Sequence, residues 1–210
     1  MRKSHDMTRS PSCTSGPQNA RGMAGLSRTF YEVAYEFTLS MSKGELSAFI
    51  KYPSAVVILL QSCLEAYINE FLAVHRQMDV QKWGAAISQL DRISLPEKWF
   101  RAPLIFSSKT FDKGAEPYQS FSLLVSLRNH LVHYDPRFRT PLEFPSKKVR
   151  SLKAKFTFSY EGRADWTTQV LNLECARWGC QTVKAMVRKF HEFVGGIDMS
   201  SWPHPWPDPP

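Results

Sequence analysis

A chain of 210 residues with a hydrophobic share of 43% can build one sizeable core, either as one domain with tails or as two very small domains. Its formal charge of +8 and pI near 9.4 suit a polyanionic partner. The chain has no C-x-x-C pair, Gly-rich phosphate loop, G-x-S-x-G or protease-like Cys/His pair, so none of those chemistries is indicated.

Residues 1–25 are rich in Ser, Gly, Arg and Pro and read as a disordered arm. No apolar run follows the early charges, so no secretory signal is expected and the location is read as cytoplasmic. Residues 26–197 form the expected folded domain. Residues 198–210 form a Pro-rich tail, with five prolines between Trp202 and Pro210. Cys13, Cys63, Cys175 and Cys180 show no pairing pattern and are read as reduced thiols, Cys63 and Cys180 on apolar helix faces.

Phe30, Val33, Phe37 and Met41 share one face of a first helix. Gly44 interrupts it, and the capping-box spacing of Ser42 and Glu45 predicts a short second piece to about Ile50. Pro53 suits the first turn of a long apolar helix to about His75, expected at the centre. Gln61, Glu65, Asn69 and Glu70 interrupt its apolar run, which favours a buried helix over a membrane span. Short helices are expected over Lys82–Leu90 and Pro96–Arg101, then a loop over 103–116.

Pro117 opens a helix that ends near Tyr134, where Asp135-Pro136 stops it. Residues 137–170 are open: Lys155–Tyr160 alternates like a strand, while Val149, Leu152 and Phe156 fit a helix. Leu173, Ala176, Cys180, Val183, Val187, Phe190 and Val194 then mark a long final helix, ending at Gly195-Gly196. The expected fold is all-α: a bundle of four to five main helices with a short irregular insertion.

The helix from Pro117 carries a chemically unusual end: Leu127-Arg128-Asn129-His130-Leu131-Val132-His133-Tyr134. Such polar groups are costly to bury without partners, so they should face a cleft or an interface. With Arg128 at zero, a helix turning about 100° per residue puts Asn129 near ~100°, His133 near ~140° and His130 near ~200°. Leu124, Leu127 and Leu131 lie on the core side. Ser122, Ser126, Asn129 and His133 form a stripe of small or polar residues roughly opposite, where a second copy of the helix can approach. Arg128 supplies positive charge and His133 a group able to give or take a proton near neutrality. Metal-free RNA cleavage needs both.

The pattern R-x4-H, with Asn directly after Arg, resembles the motif of the HEPN superfamily. The segment Leu64-Glu65-Ala66-Tyr67-Ile68-Asn69-Glu70 within Pro53–Leu72 resembles the long helix before the motif helix. The final helix, with Ala176, Trp178 and Thr182, resembles the closing one. The resemblance implies a HEPN-like helical bundle and a homodimer across the motif helices. It further implies metal-independent RNA cleavage with Arg128 and His133 catalytic and Asn129 as a polar helper. A toxin, anti-phage or RNA-processing role, with an antitoxin or other protein partner, would follow. One departure stands out: HEPN toxins paired with nucleotidyltransferase antitoxins carry R-x4-H-x-Tyr, whereas here Tyr134 follows His133 directly. The alternative is a non-catalytic HEPN-like module for dimerisation and for RNA or protein binding.

Supporting roles fall to Glu65 and Asn69, four apart on the central helix and placed to orient Arg128 or His133, and to His130 and Tyr134 beside the motif. Arg137, Arg139, Lys147, Lys148, Arg150, Lys153 and Lys155 crowd the segment after the motif, with Phe138, Phe144 and Phe156 interleaved. Lys147, Lys148, Arg150 and Lys153 are the candidate RNA phosphate contacts, and a solvated basic loop is the other reading. His130 and His133 lack a convincing third ligand, so no metal site is expected, and no cofactor.

Overall fold

The computed structural model describes residues 25–134, 143–156 and 165–195. The arm at 1–24, the tail at 196–210 and the basic residues Arg137 and Arg139 lie outside these. The described chain forms an all-α bundle: α1 (Leu26–Ser42), α2 (Lys51–Met78), α3 (Val80–Ser88), α4 (Leu95–Phe106), α5 (Tyr118–Val132), α6 (Lys147–Leu152), α7 (Trp166–Val170) and α8 (Leu173–Val194). Among the described residues there is no strand, only an isolated bridge between Phe49 and Asn172.

The long apolar helix is central, as its composition predicts. α2 packs against α1, α5 and α8, and buries Val56, Val57, Leu60, Leu64, Tyr67, Ile68 and Phe71. It is long and apolar enough to cross a bilayer, but these side chains sit in the bundle core. α8 crosses α2 closely at Gly179, where an added Cβ would lie 2.6 Å from Leu60 Cδ1. The stripe expected on α8 is buried from Ala176 to Val194, with Leu173 half-buried at its start. Cys63, Cys175 and Cys180 are buried free thiols, and burial pushes the Cys180 thiol up to about 12.

Three local expectations need correction. First, α1 is rotated from the predicted face: Tyr31, Ala34, Thr38 and Met41 are buried, while Phe30, Val33 and Phe37 are half-buried. Small Ala34 and Thr38 allow close approach, and the Thr38 hydroxyl is satisfied by the Ala34 carbonyl at 2.7 Å. Second, residues 43–50 form no helix. Gly44, at φ 76, ends α1 in a Schellman motif, with Glu45 N–H bonded to Ser40 O at 2.9 Å and Gly44 N–H to Met41 O at 3.1 Å. The Ser42 hydroxyl bonds back to Leu39 O, so the apparent capping box belongs to a helix end.

Third, α4 continues to Phe106 instead of stopping at Arg101. Pro103 is accommodated inside it, and Trp99 anchors it through an indole N–H to Leu64 O at 3.2 Å. In the segment left open, the helical reading holds at Val149 and Leu152: α6 is capped by Ser146 Oγ on Val149 N–H at 3.2 Å and pinned by these two buried side chains. Lys155 and Phe156 follow it outside any strand, and the rest of the strand candidate lies outside the described residues.

Candidate functional site

The motif occupies the C-terminal end of α5. Phe121, Leu124 and Leu127 are buried toward α2 and α8, which fixes the helix and turns its polar side outward. Arg128 is half-buried. Its Nη1 donates to Asn129 Oδ1 at 3.3 Å. Its Nε is shielded from solvent without a hydrogen-bond partner, and no carboxylate among the described residues pairs with the guanidinium. Asn129 is exposed. His130 is half-buried, and desolvation holds its pKa below the ordinary histidine value.

His133 sits one residue beyond the helix. It is the C-cap of α5, at φ −107 and ψ 50, with its backbone N–H on Asn129 O at 3.0 Å. The helical projection of ~140° from Arg128 therefore stops applying at Val132, because the backbone leaves the helix there. The His133 side chain is exposed, and no hydrogen bond joins it to Arg128 among the described residues. Next to it, the exposed Tyr134 ring stacks on Trp166 of α7, with centroids 6.4 Å apart and planes at 30°. Asp165 holds α7 in place, accepting from Thr168 N–H at 3.1 Å and from Thr167 Oγ1 at 2.5 Å.

Glu65 and Asn69 are both exposed on α2, and their bonds go elsewhere. Glu65 accepts from Gln61 Nε2 at 3.1 Å and Asn69 from Lys98 Nζ on α4 at 2.8 Å. The small-residue stripe is partly occupied within the chain. Ser122 accepts from Lys148 Nζ at 3.1 Å, so α6 lies against the N-terminal half of the stripe while Asn129 and His133 remain open. Lys147, Lys148 and Arg150 are exposed on α6 and Lys153 at its C-cap, and the Arg150 guanidinium lies 5.8 Å from the Phe144 ring.

A second feature escaped the sequence. Lys155 and Phe156, just past α6, face Glu174, Arg177, Trp178 and Gln181 of α8 across a cavity of about 470 Å³. Glu174, Arg177, Trp178 and Gln181 share one face of α8 by their i, i+3, i+4, i+7 spacing, and no spacing rule brings Lys155 and Phe156 to them. The one available signal is a tryptophan, Trp178, next to the apolar stripe of α8.

Among the described residues no group of three or more His, Cys, Asp and Glu gathers as a metal site. No family model matches this chain, and no curated protein or solved structure shows significant similarity to it.

Proposed function

We propose that this protein is a metal-independent endoribonuclease of HEPN type that works as a homodimer. The observation that carries the reading is Arg128: a half-buried guanidinium whose Nε has no partner and which no described carboxylate neutralises, on the same helix end as an exposed histidine. A guanidinium N–H shielded from water without an acceptor is costly, and an RNA phosphate would supply one. Arg128 then stabilises the charge that develops on phosphorus as the 2′-hydroxyl attacks. His133 transfers the proton, with Asn129 holding the guanidinium through its 3.3 Å bond.

Each chain offers one such histidine, while cleavage needs both a base for the 2′-hydroxyl and an acid for the leaving 5′-oxygen. Two copies meeting at the open ends of α5 would bring the pair together. The lysines and arginine of α6 are the phosphate contacts for the strand. A toxin, anti-phage or RNA-processing role in the cytoplasm follows from this reading.

A second reading has its own support. Val132 is 46% exposed and Tyr134 39%, an apolar surface beside the motif that suits a non-catalytic docking module. Incubating RNA with purified protein in EDTA separates the two: a nuclease cuts it and loses the activity on His133→Ala, whereas a docking module leaves it intact.

A further inference from the structure

We infer that the cavity between the exit of α6 and α8 is a binding site for a single ribonucleobase. The occupant's membership of an RNA strand rests on the nuclease reading above. The base site itself rests on four observations.

The first is size: the open groove of about 470 Å³ has room for one base. The second is the aromatic wall. The Trp178 indole lines the cavity and is braced by Phe156, with ring centroids 5.6 Å apart and planes at 61°. An indole face stacks on any base.

The third is preorganisation. Trp178 Nε1 donates to Ser120 Oγ at 3.3 Å, Ser120 Oγ donates to Glu116 Oε1 at 2.8 Å, and Lys155 Nζ reaches the same Glu116 oxygen at 3.5 Å. One buried serine thus ties the indole to the lysine on the cavity's rim before anything binds. The fourth is the polar complement. The Gln181 amide carries both a donor and an acceptor, which suits a base edge; around it Arg177 and Lys155 are balanced by Glu174 in the lining and by Glu116 on Lys155, so the site is built for a base rather than for a phosphate.

The site is tied through Ser120 to the helix that carries the motif. Ser120 is eight residues before Arg128 on α5, about 12 Å along the helix axis. Lys148, bonded to Ser122, lies on a different face of α5 from the buried Ser120.

The test titrates the full chain with each of the four ribonucleoside 5′-monophosphates and with ribose 5-phosphate. The readout is the indole N–H resonance of Trp178, assigned by its loss in Trp178→Phe. At least one nucleotide should shift it saturably, and ribose 5-phosphate should not. By calorimetry, Trp178→Ala should weaken binding by roughly 5- to 150-fold, the worth of one base–aromatic stack, while Trp178→Phe retains most of it. Gln181→Ala should change the order of preference among the four bases.

No shift with any nucleotide at millimolar concentration overturns the inference, as does an equal shift with ribose 5-phosphate, which would mark a phosphate site alone. His133→Ala should bind nucleotide like wild type. A protein that binds nucleotide here yet never cuts RNA would overturn the nuclease reading and leave the base site standing.

Discussion

Lys148 Nζ donates to Ser122 Oγ at 3.1 Å, and that bond lays α6 along the first half of the helix face on which a second copy was expected to dock. The face remaining for a partner is the C-terminal half: half-buried Ser126, then exposed Asn129, Val132, His133 and Tyr134. This narrows the proposed dimer contact to the end of α5 that carries the motif.

The first prediction concerns that contact. Wild-type protein should sediment as a dimer at micromolar concentration. Ser126→Arg should raise the dimer dissociation constant by at least about tenfold, by placing a bulky charge at the contact. Val132→Asp should do the same, because an apolar exposed side chain becomes an unpaired charge. A monomeric wild type removes the composite site.

RNA binding should depend on salt through α6. Replacing Lys147, Lys148 and Arg150 by neutral residues should flatten the log–log salt slope by about 0.7 for each single-strand phosphate that is no longer neutralised. Lys148→Ala also removes the bond to Ser122 and Arg150→Ala the contact with the Phe144 ring, so Lys147→Ala is the cleanest single variant. An unchanged slope in the triple variant would make α6 a solvated helix.

Stability should fall as the pH drops below the ordinary histidine range. His75 is buried, with Nδ1–H donating to the Phe71 carbonyl at 2.8 Å and Nε2 lacking a partner. The Phe71 and Phe106 rings lie 4.1 and 5.0 Å from the imidazole. Desolvation lowers its pKa, against a smaller opposing effect of the Phe71 bond. With the folded value below the unfolded one, the unfolded state binds more protons. Stability is then complete above about pH 6.5 and is lost as the pH falls toward and through the folded pKa. Thermal unfolding between about pH 7.5 and pH 5.5 should show this decline. His75→Phe should flatten it, leaving a remainder of the same sign from His130, which His130→Asn removes. A decline as steep in the double variant as in wild type would contradict the assignment.

Gly179 sets the spacing of α8 against α2. Gly179→Val should cost about 1–3 kcal/mol by overpacking, because its Cβ would meet Leu60 Cδ1 at 2.6 Å and Leu124 Cδ1 at 3.8 Å. Urea unfolding measures the change, and an unaltered midpoint would mean that the core yields at this crossing.

The sequence was most legible where one period governs a whole helix. α8 runs from Leu173 to Val194, the span its apolar stripe marks, and α2 is central because it is apolar over most of its circumference. Legibility failed where two local rules competed. Gly44 ends α1 with a left-handed residue, and that overrode the N-cap pattern of Ser42 and Glu45. Small Ala34 and Thr38 won the buried face of α1 over the larger phenylalanines, since helix approach is set by the smallest side chains at the crossing. In the candidate site, the motif and its place at the end of α5 were legible. The exit of His133 from the helix and the coverage of Ser122 by α6 were not, because both depend on the chain beyond the motif. The bond of Asn69 to Lys98 likewise depends on a long, flexible partner from another helix, whereas that of Glu65 to Gln61, four residues apart on α2, follows helical spacing.

The central claim is that Arg128 and His133 cut RNA without metal, and one assay addresses it directly. Labelled RNA is incubated with wild type, Arg128→Ala, His130→Ala and His133→Ala in EDTA, and product ends are identified. The account predicts 2′,3′-cyclic phosphate ends from wild type and a loss of about 10²–10⁴ in rate for His133→Ala. It also predicts a crippling loss for Arg128→Ala, little change for His130→Ala, and resistance of a substrate with 2′-O-methyl at the cleaved position. Normal cutting of that substrate, full activity in His133→Ala, or cleavage that requires added magnesium would contradict it.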